Sequence, residues 1–170
     1  IDQAVQLFGM PEAVFADIAT LRKDGKVDDY FIIHLLRPSK APEVRITLKS
    51  SYLMCANEPR FVLHGREGSY VKYGLDPQEA ALTEGLLPGT PHWGEEDKSF
   101  WGLLHTERDG KVVREPYPSL PGDYAAFYDN IYQHIRCGKP LQSDAREVVG
   151  VIRLIEAAWE SSRMRRVVRI

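Results

Sequence analysis

The residues able to do chemistry are spread thinly along the chain. Five histidines, His34, His64, His92, His105 and His134, are scattered, whereas a zinc site draws on ligands in neighbouring pairs. His134 and Cys137 lie three apart at the end of a helical stretch, and no second pair completes a set of four. No G-x-S-x-G turn offers a serine nucleophile. His34 sits in a run that is apolar on both sides, which reads as a hydrogen-bonded core or interface histidine rather than a base, and His64 directly precedes a turn. Asp144 and Glu147 read as helix caps, not as a carboxylate dyad. No G-x-G-x-x-G opens a helix after a strand, and no G-x-x-x-x-G-K-[ST] occurs. Gly65 and Gly68 fall between two strands, where a hairpin turn explains them better than a phosphate cradle does. No catalytic set, metal site or cofactor site is therefore expected in the chain itself.

Trp93 and Trp101 are the exception. They lie in a glycine- and proline-rich stretch with His92 and Lys98 close by. Tryptophans so placed either anchor a loop over a core edge or wall a ligand or partner site. On the second reading Trp93, Lys98 and Trp101 are candidate substrate-binding residues.

The elements that must position this loop read clearly. Ala13 to Arg22, Tyr30 to Pro38 and Glu43 to Leu53 are rich in Val, Ile, Phe, Tyr and Thr and are broken by Asp24-Gly25 and Pro38-Ser39, the pattern of an antiparallel meander. Arg60 to His64 and Ser69 to Tyr73 follow around Gly65-Arg66-Glu67-Gly68 as two more strands. Asp76 to Leu82 reads as a short helix with Pro77 at its first position. Leu103 to Thr106 and Val112 to Arg114 flank Asp109-Gly110 as a small hairpin. The last third is helical: Asp123 to Arg136, stopped by Gly138, then a longer helix capped by Asp144, with Val148, Val149, Ile152, Ile155, Ala158 and Trp159 as its apolar stripe. Arg166 to Ile170 is a tail able to return as an edge strand. The expected fold is α+β, an open, largely antiparallel sheet of five to six strands with helices packed on one face.

Composition excludes several classes. A net charge of -2 gives no electrostatic footprint for nucleic acid or an anionic membrane, and no apolar run reaches the roughly 20 residues of a membrane span. Cys55 and Cys137 make no disulfide framework; free buried thiols in a reducing, cytoplasmic compartment are expected. Ile1, Ala4, Val5 and Phe8 have helical spacing with no cap before them, which reads as a helix continued from something longer.

The two ends and the middle together resemble one family. Ile1-Asp2-Gln3-Ala4-Val5-Gln6-Leu7-Phe8-Gly9-Met10-Pro11 is similar to the stretch just after the catalytic motif of the glucose-fructose oxidoreductase, inositol dehydrogenase and rhizopine-catabolism (Gfo/Idh/MocA) oxidoreductases. Gly138-Lys139-Pro140-Leu141 and Ile155-Glu156-Ala157-Ala158-Trp159-Glu160-Ser161-Ser162 resemble that family's final helix. Gly65-Arg66-Glu67-Gly68-Ser69, Asp76-Pro77-Gln78-Glu79, Trp93-Gly94, Trp101-Gly102 and Leu120-Pro121-Gly122-Asp123-Tyr124 are similar to one subgroup of it. The resemblance implies a two-domain NAD(P)-dependent dehydrogenase of sugars, polyols or related hydroxy compounds, of which residues 1–170 are the C-terminal substrate and oligomerisation domain and the Rossmann domain is absent. It places an Asp-x-x-x-His catalytic pair immediately before Ile1 and aligns Asp2 with the Asp that follows that His, which adds Asp2 to the candidate substrate-binding residues in a structural or orienting role rather than as acid or base. A non-catalytic ligand-binding or dimerisation module on the same scaffold is the alternative. Because Tyr30 to Leu36 is apolar on both faces, a homodimer or higher even oligomer through the sheet is the expected partner.

Overall fold

The computed structural model describes all 170 residues. In chain order the elements are α1 (Asp2–Phe8), β1 (Pro11–Ala19), β2 (Tyr30–Pro38), β3 (Ile46–Ser51), β4 (Phe61–His64), β5 (Gly68–Lys72), α2 (Gln78–Thr83), β6 (Gly102–Arg108), β7 (Lys111–Tyr117), α3 (Tyr124–Cys137), α4 (Ala145–Met164) and β8 (Val168–Arg169). The α+β class holds, but the strands form two open antiparallel sheets of four, β3-β2-β1-β8 and β4-β5-β6-β7, rather than one of five to six. The strands divide where the chain divides. Residues 1–55 with 142–170 make one compact unit, and residues 56–141 make the other.

In the first unit, the alternation of β1 sends Val14 and Ala16 into the core and leaves Phe15 and Asp17 outside. The antiparallel register sets Val14 opposite Leu35 and Ala16 opposite Ile33, and β3 extends the same face with Ile46 and Leu48. Helix α4 covers this face with Leu154 and Ala158, and α1 adds Ala4 and Val5 at the margin. The buried stripe of α4 is Val151, Leu154, Ala158 and Ser161. Of the expected stripe, Ala158 is buried and Ile155 half-buried, whereas Val148, Val149, Ile152 and Trp159 remain substantially exposed. The helix is apolar over a wide arc, and periodicity alone could not say which part of it meets the sheet.

The free edge of β1 needs its own solution. Strand β8 pairs only with Ala13 and Val14, so the tail returns as expected but covers little. Further along, the Ala16 amide donates to Ser161 Oγ at 3.0 Å, and the Ser161 hydroxyl donates to the Arg166 carbonyl at 2.6 Å. The Ile18 amide donates to Ser162 Oγ at 2.9 Å. Two serines at the end of α4 thus do what a longer strand would have done.

The β1–β2 connection is pinned by Asp29, whose side chain is shut off from solvent. Its carboxylate accepts from the Leu21 amide at 2.7 Å, the Arg22 amide at 3.1 Å and Arg22 Nε at 2.7 Å. Arg22 in turn lies over the Tyr52 ring, 4.6 Å from its centroid.

In the second unit, β4 to β7 form a simple meander. Only Gln78, Gly94 and Gly102 are buried there, so this unit has no apolar core of its own. Helix α3 begins at Asp123, whose carboxylate accepts from the Ala125 and Ala126 amides, and ends at Gly138 with φ 67°, the left-handed conformation that suits glycine. None of α3 is buried; Phe127, Tyr128, Tyr132 and Ile135 are exposed. The expectation that both long helices cover one sheet face is therefore corrected: only α4 does. Cys55 and Cys137 are free, as expected, but exposed rather than buried. No helix is long and apolar enough to cross a membrane.

The hydrogen bonds from Leu21 and Arg22 hold the Asp29 carboxyl below its ordinary pKa. A group whose folded pKa is depressed adds stability in full above its unfolded value of about 3.9, and that stability is lost as pH falls through the folded value. Asp29→Asn should melt below the wild type at pH 7, with the gap closing as pH is lowered beneath about 4. Thermal melts across pH 2–7 check this; a gap independent of pH would show that the negative charge is not what holds the loop.

Candidate functional site

The candidate loop runs from the end of β5 to the start of β6 and is built in the second unit from polar joints. The first joint is Gln78, with a relative exposure of 1%. Its Oε1 accepts from Trp93 Nε1 at 2.9 Å and from the Tyr124 amide at 2.8 Å, while its Nε2 donates to both Asp76 carboxylate oxygens at 3.0 Å. One buried amide therefore ties α2, the loop and the start of α3 together, with each polar atom satisfied. Beside it the Gly122 amide donates to the Gly94 carbonyl at 3.0 Å. A side chain at Gly94 would collide with the Gly122 carbonyl, and one at Gly122 with Asp76 and Gln78. This close backbone approach is why glycine stands at both places.

The second joint is an ion pair. Lys72 Nζ lies 2.6 Å from both Glu96 oxygens and 3.0 Å from the Phe100 carbonyl, and the Ser119 hydroxyl donates to Glu96 at 2.6 Å. Between these points Lys98–Phe100 form one 3-10 turn capped by Asp97, which accepts from the Ser99 amide and hydroxyl at 2.8 and 2.5 Å. Those bonds hold the Asp97 carboxyl below its ordinary pKa. The turn places Lys98 Nζ over the Trp101 ring, 5.8 Å from its centroid. Trp101 then leads into Gly102, whose missing side chain makes room for the Tyr70 ring.

The sequence candidates thus part company. Lys98 and Trp101 meet as a cation over an aromatic face at the loop surface. Trp93 is half-buried, as Trp101 is, but its one polar atom is engaged by the buried Gln78. His92 pairs with Glu95 at 2.9 Å on the exposed side. Asp2 is exposed in the first turn of α1, in the other unit. Two residues that organise the loop were not legible: Gln78 lay hidden in a helix start, and Glu96 inside the charged run Glu95-Glu96-Asp97-Lys98. Such a run ordinarily reads as a solvated turn.

The chain does not fit a dinucleotide. Every strand pairing is antiparallel, so no parallel strand–helix–strand unit exists to aim a helix start at a pyrophosphate, and the Gly65–Gly68 turn closes on itself through a 2.8 Å backbone bond. No three of its His, Cys, Asp and Glu side chains gather where they could hold a metal ion.

The fold defines an α+β domain of two open antiparallel sheets. The whole chain, residues 1–170, matches the oxidoreductase family's C-terminal alpha/beta domain, and the chain belongs to this Gfo/Idh/MocA family. It is 38% identical over 170 residues to the scyllo-inositol 2-dehydrogenase (NADP(+)) IolW of Bacillus subtilis, covering 100% of this chain and 46% of that protein. Among solved structures it is similar to a protein from Bacteroides fragilis assigned as an oxidoreductase, with a TM-score of 0.94 and 60% identity over 99% of this chain and 50% of that one. It is also similar to yvaA of Bacillus subtilis, likewise assigned as an oxidoreductase, with a TM-score of 0.92 and 38% identity over 99% of this chain and 48% of that one. The chain thus spans about half the length of the relatives it matches.

Trp93→Phe keeps the ring and deletes the bond to Gln78. One neutral hydrogen bond is worth about 0.5–1.5 kcal/mol, and Gln78 keeps the Tyr124 amide as a donor, so a loss in that range is expected. Gln78→Leu strands the Trp93 and Tyr124 donors together and should cost more, about 1–3 kcal/mol for each group left buried. Urea denaturation of both variants measures the difference; equal losses would show that Gln78 is not the hub.

Proposed function

We propose that this chain is the substrate and assembly half of an NAD(P)-dependent oxidoreductase acting on a sugar, a polyol or a related hydroxy compound. The dinucleotide would be held by a Rossmann domain of the same polypeptide. The observation that carries this reading is the 38% identity, across the full chain, to an NADP-dependent scyllo-inositol dehydrogenase. Oxidation of such an alcohol takes a hydride from carbon and a proton from oxygen, steps this reading assigns to the dinucleotide and to the rest of the polypeptide. The part of the residues described here is recognition. An aromatic face such as that of Trp101 suits the C–H face of a polyhydroxylated ring, and Lys98 offers donors to its hydroxyls. Trp93 acts from behind, through Gln78, and Asp2 serves to orient the start of α1.

In the full-length enzyme, Trp101→Ala should raise KM for scyllo-inositol by about three- to tenfold, the equivalent of one lost aromatic contact, with no change in melting temperature beyond a few degrees. Steady-state kinetics with NADP+ decides it, and unchanged KM would make the loop packing alone. Calorimetric titration of the isolated chain with NADP+ should show no micromolar binding.

The assembly is proposed to be a homodimer, or a higher even oligomer, through the outer face of the first unit's sheet. The register puts Phe15, Asp17, Tyr30, Ile32, His34 and Leu36 on that face. Phe15 stacks on His34 with centroids 6.3 Å apart yet stays 39% exposed. Toward one end the face opens into a hollow of about 340 Å3 walled by Leu21, Tyr30, Ile32, Leu53 and Met54. A two-fold pairing of this face would bury on the order of 1,600 Å2 or more. Leu36 points outward and Leu35, 1% exposed, points into the core. Leu36→Asp should therefore give a folded monomer by sedimentation, and Leu35→Asp an unfolded chain. A wild type that sediments as a monomer at tens of micromolar would refute the pairing.

A further inference from the structure

The joint between Lys72 and Glu96 carries more than the loop's shape requires. Both ends are withdrawn from water, with side-chain exposures of 17% for Lys72 and 7% for Glu96. Taking two charges out of water is costly, and apolar side chains of similar volume commonly serve stability as well or better. What a buried pair supplies is direction. The Lys72 ammonium is spent on both Glu96 oxygens and on the Phe100 carbonyl at 3.0 Å, with the Tyr73 carbonyl more distant at 3.5 Å. Glu96 also takes the Ser119 hydroxyl. Lys72 stands at the last position of β5, so the bond network fixes the loop to a sheet strand just before the Lys98–Phe100 turn, at Glu96, and at the turn's last residue, Phe100. Only residues 97 to 99 lie between the two attachment points, and Asp97 already closes that span. Lys98 and Trp101, which stand in contact, are thereby left little freedom relative to β5.

We propose that Lys72 is a positioning residue: through Glu96 and the Phe100 carbonyl it presets Lys98 and Trp101 as one wall against a polyhydroxylated substrate. This rests on the functional reading above. Its chemistry is that of preorganisation, in which the ordering of the loop precedes substrate binding rather than being charged against it. Lys72 and Glu96 need not touch the substrate for this. Arg can replace Lys72 in part, since it keeps the charge and several donors, whereas Met keeps only the length.

The test uses the full-length enzyme as wild type, Lys72→Arg, and the double variant Lys72→Met/Glu96→Leu. The double variant removes both charges together and leaves no orphan carboxylate to unfold the chain. Amide exchange is followed at Ser99, Phe100 and Trp101, whose amides donate to the Asp97 side chain, the Asp97 carbonyl and the Lys98 carbonyl. Kinetics are measured with scyllo-inositol and NADP+. In the double variant, protection at the three amides should fall by about tenfold or more, the worth of hydrogen bonds to a charged group. KM should rise by about tenfold while kcat stays within about twofold, the mark of lost ground-state organisation. Lys72→Arg should recover most of both. Unchanged protection overturns the proposal, and so does a freed loop with unmoved KM. A wild-type enzyme that oxidises neither scyllo-inositol nor any other polyol with NADP+ or NAD+ overturns the functional reading and the substrate wall with it. An active wild type with unmoved variants overturns the role of Lys72 alone.

Discussion

The constraint on which the first unit depends is the hydrogen-bonding demand of β1's outer edge. Strand β1 is the centre of the core, with Val14 wholly buried, yet on one side its partner β8 is only two residues long. Buried backbone groups without partners each cost free energy comparable to a lost hydrogen bond. Ser161 and Ser162 meet the demand from α4, and doing so fixes the helix's rotation. With Ser161 turned toward the Ala16 amide, Ala158, Leu154 and Val151 must lie on the same side by helical spacing, and these are the residues that fill the core. Polar satisfaction at the edge and apolar burial on the face therefore select one docking of the helix. A helix apolar over a wide arc would otherwise have several comparable ways to dock.

The same logic explains why the expected stripe differed from the observed one. Val148, Ile152, Ile155 and Trp159 make as good a seam as Val151, Leu154 and Ala158 when hydrophobicity is the only guide. What decides between them is Ser161, a polar residue that a periodicity argument discards. The strands were legible because their signals are local: β2 spans Tyr30–Pro38 as its Ile-, Leu- and aromatic-rich run implied, and β1, β3, β4 and β5 differ from expectation only at their ends. The caps of α3 and α4 were legible for the same reason, Asp123, Asp144 and Gly138 each acting within a few residues of themselves. The division of the strands between two sheets was not. It is set by β3 and β4 not pairing although they are neighbours in the chain, while β8 returns to β1, and nothing in a strand's own composition records which partners it takes.

The candidate loop shows the limit from another side. Trp93 and Trp101 stand out in any reading because tryptophan is rare and large, but the sequence does not reveal that one donates to a buried glutamine and the other supports a lysine. That difference is made by Gln78 and Glu96. Both are ordinary polar residues in polar surroundings, and their burial follows from the backbone approach of Gly94 to Gly122 and from the position of Lys72 at a strand end. Side chains whose role is to satisfy other polar groups carry no signature of their own. They emerge only once their partners are in place.

These two kinds of construction give the chain an uneven stability. The first unit is held by apolar burial and tight packing around Leu35, Val14 and Leu154, which open only when the unit unfolds. The second is held by discrete joints, Gln78 to Trp93 and Tyr124, Lys72 to Glu96, with Gly102 giving way to Tyr70, and has almost nothing apolar buried beneath them. Few buried apolar contacts mean a low free energy of local opening. Opening at one joint need not disturb the next, because no shared core couples them. The loop is ordered by bonds of defined geometry, and the loss of any one of them removes no core on which the sheet depends.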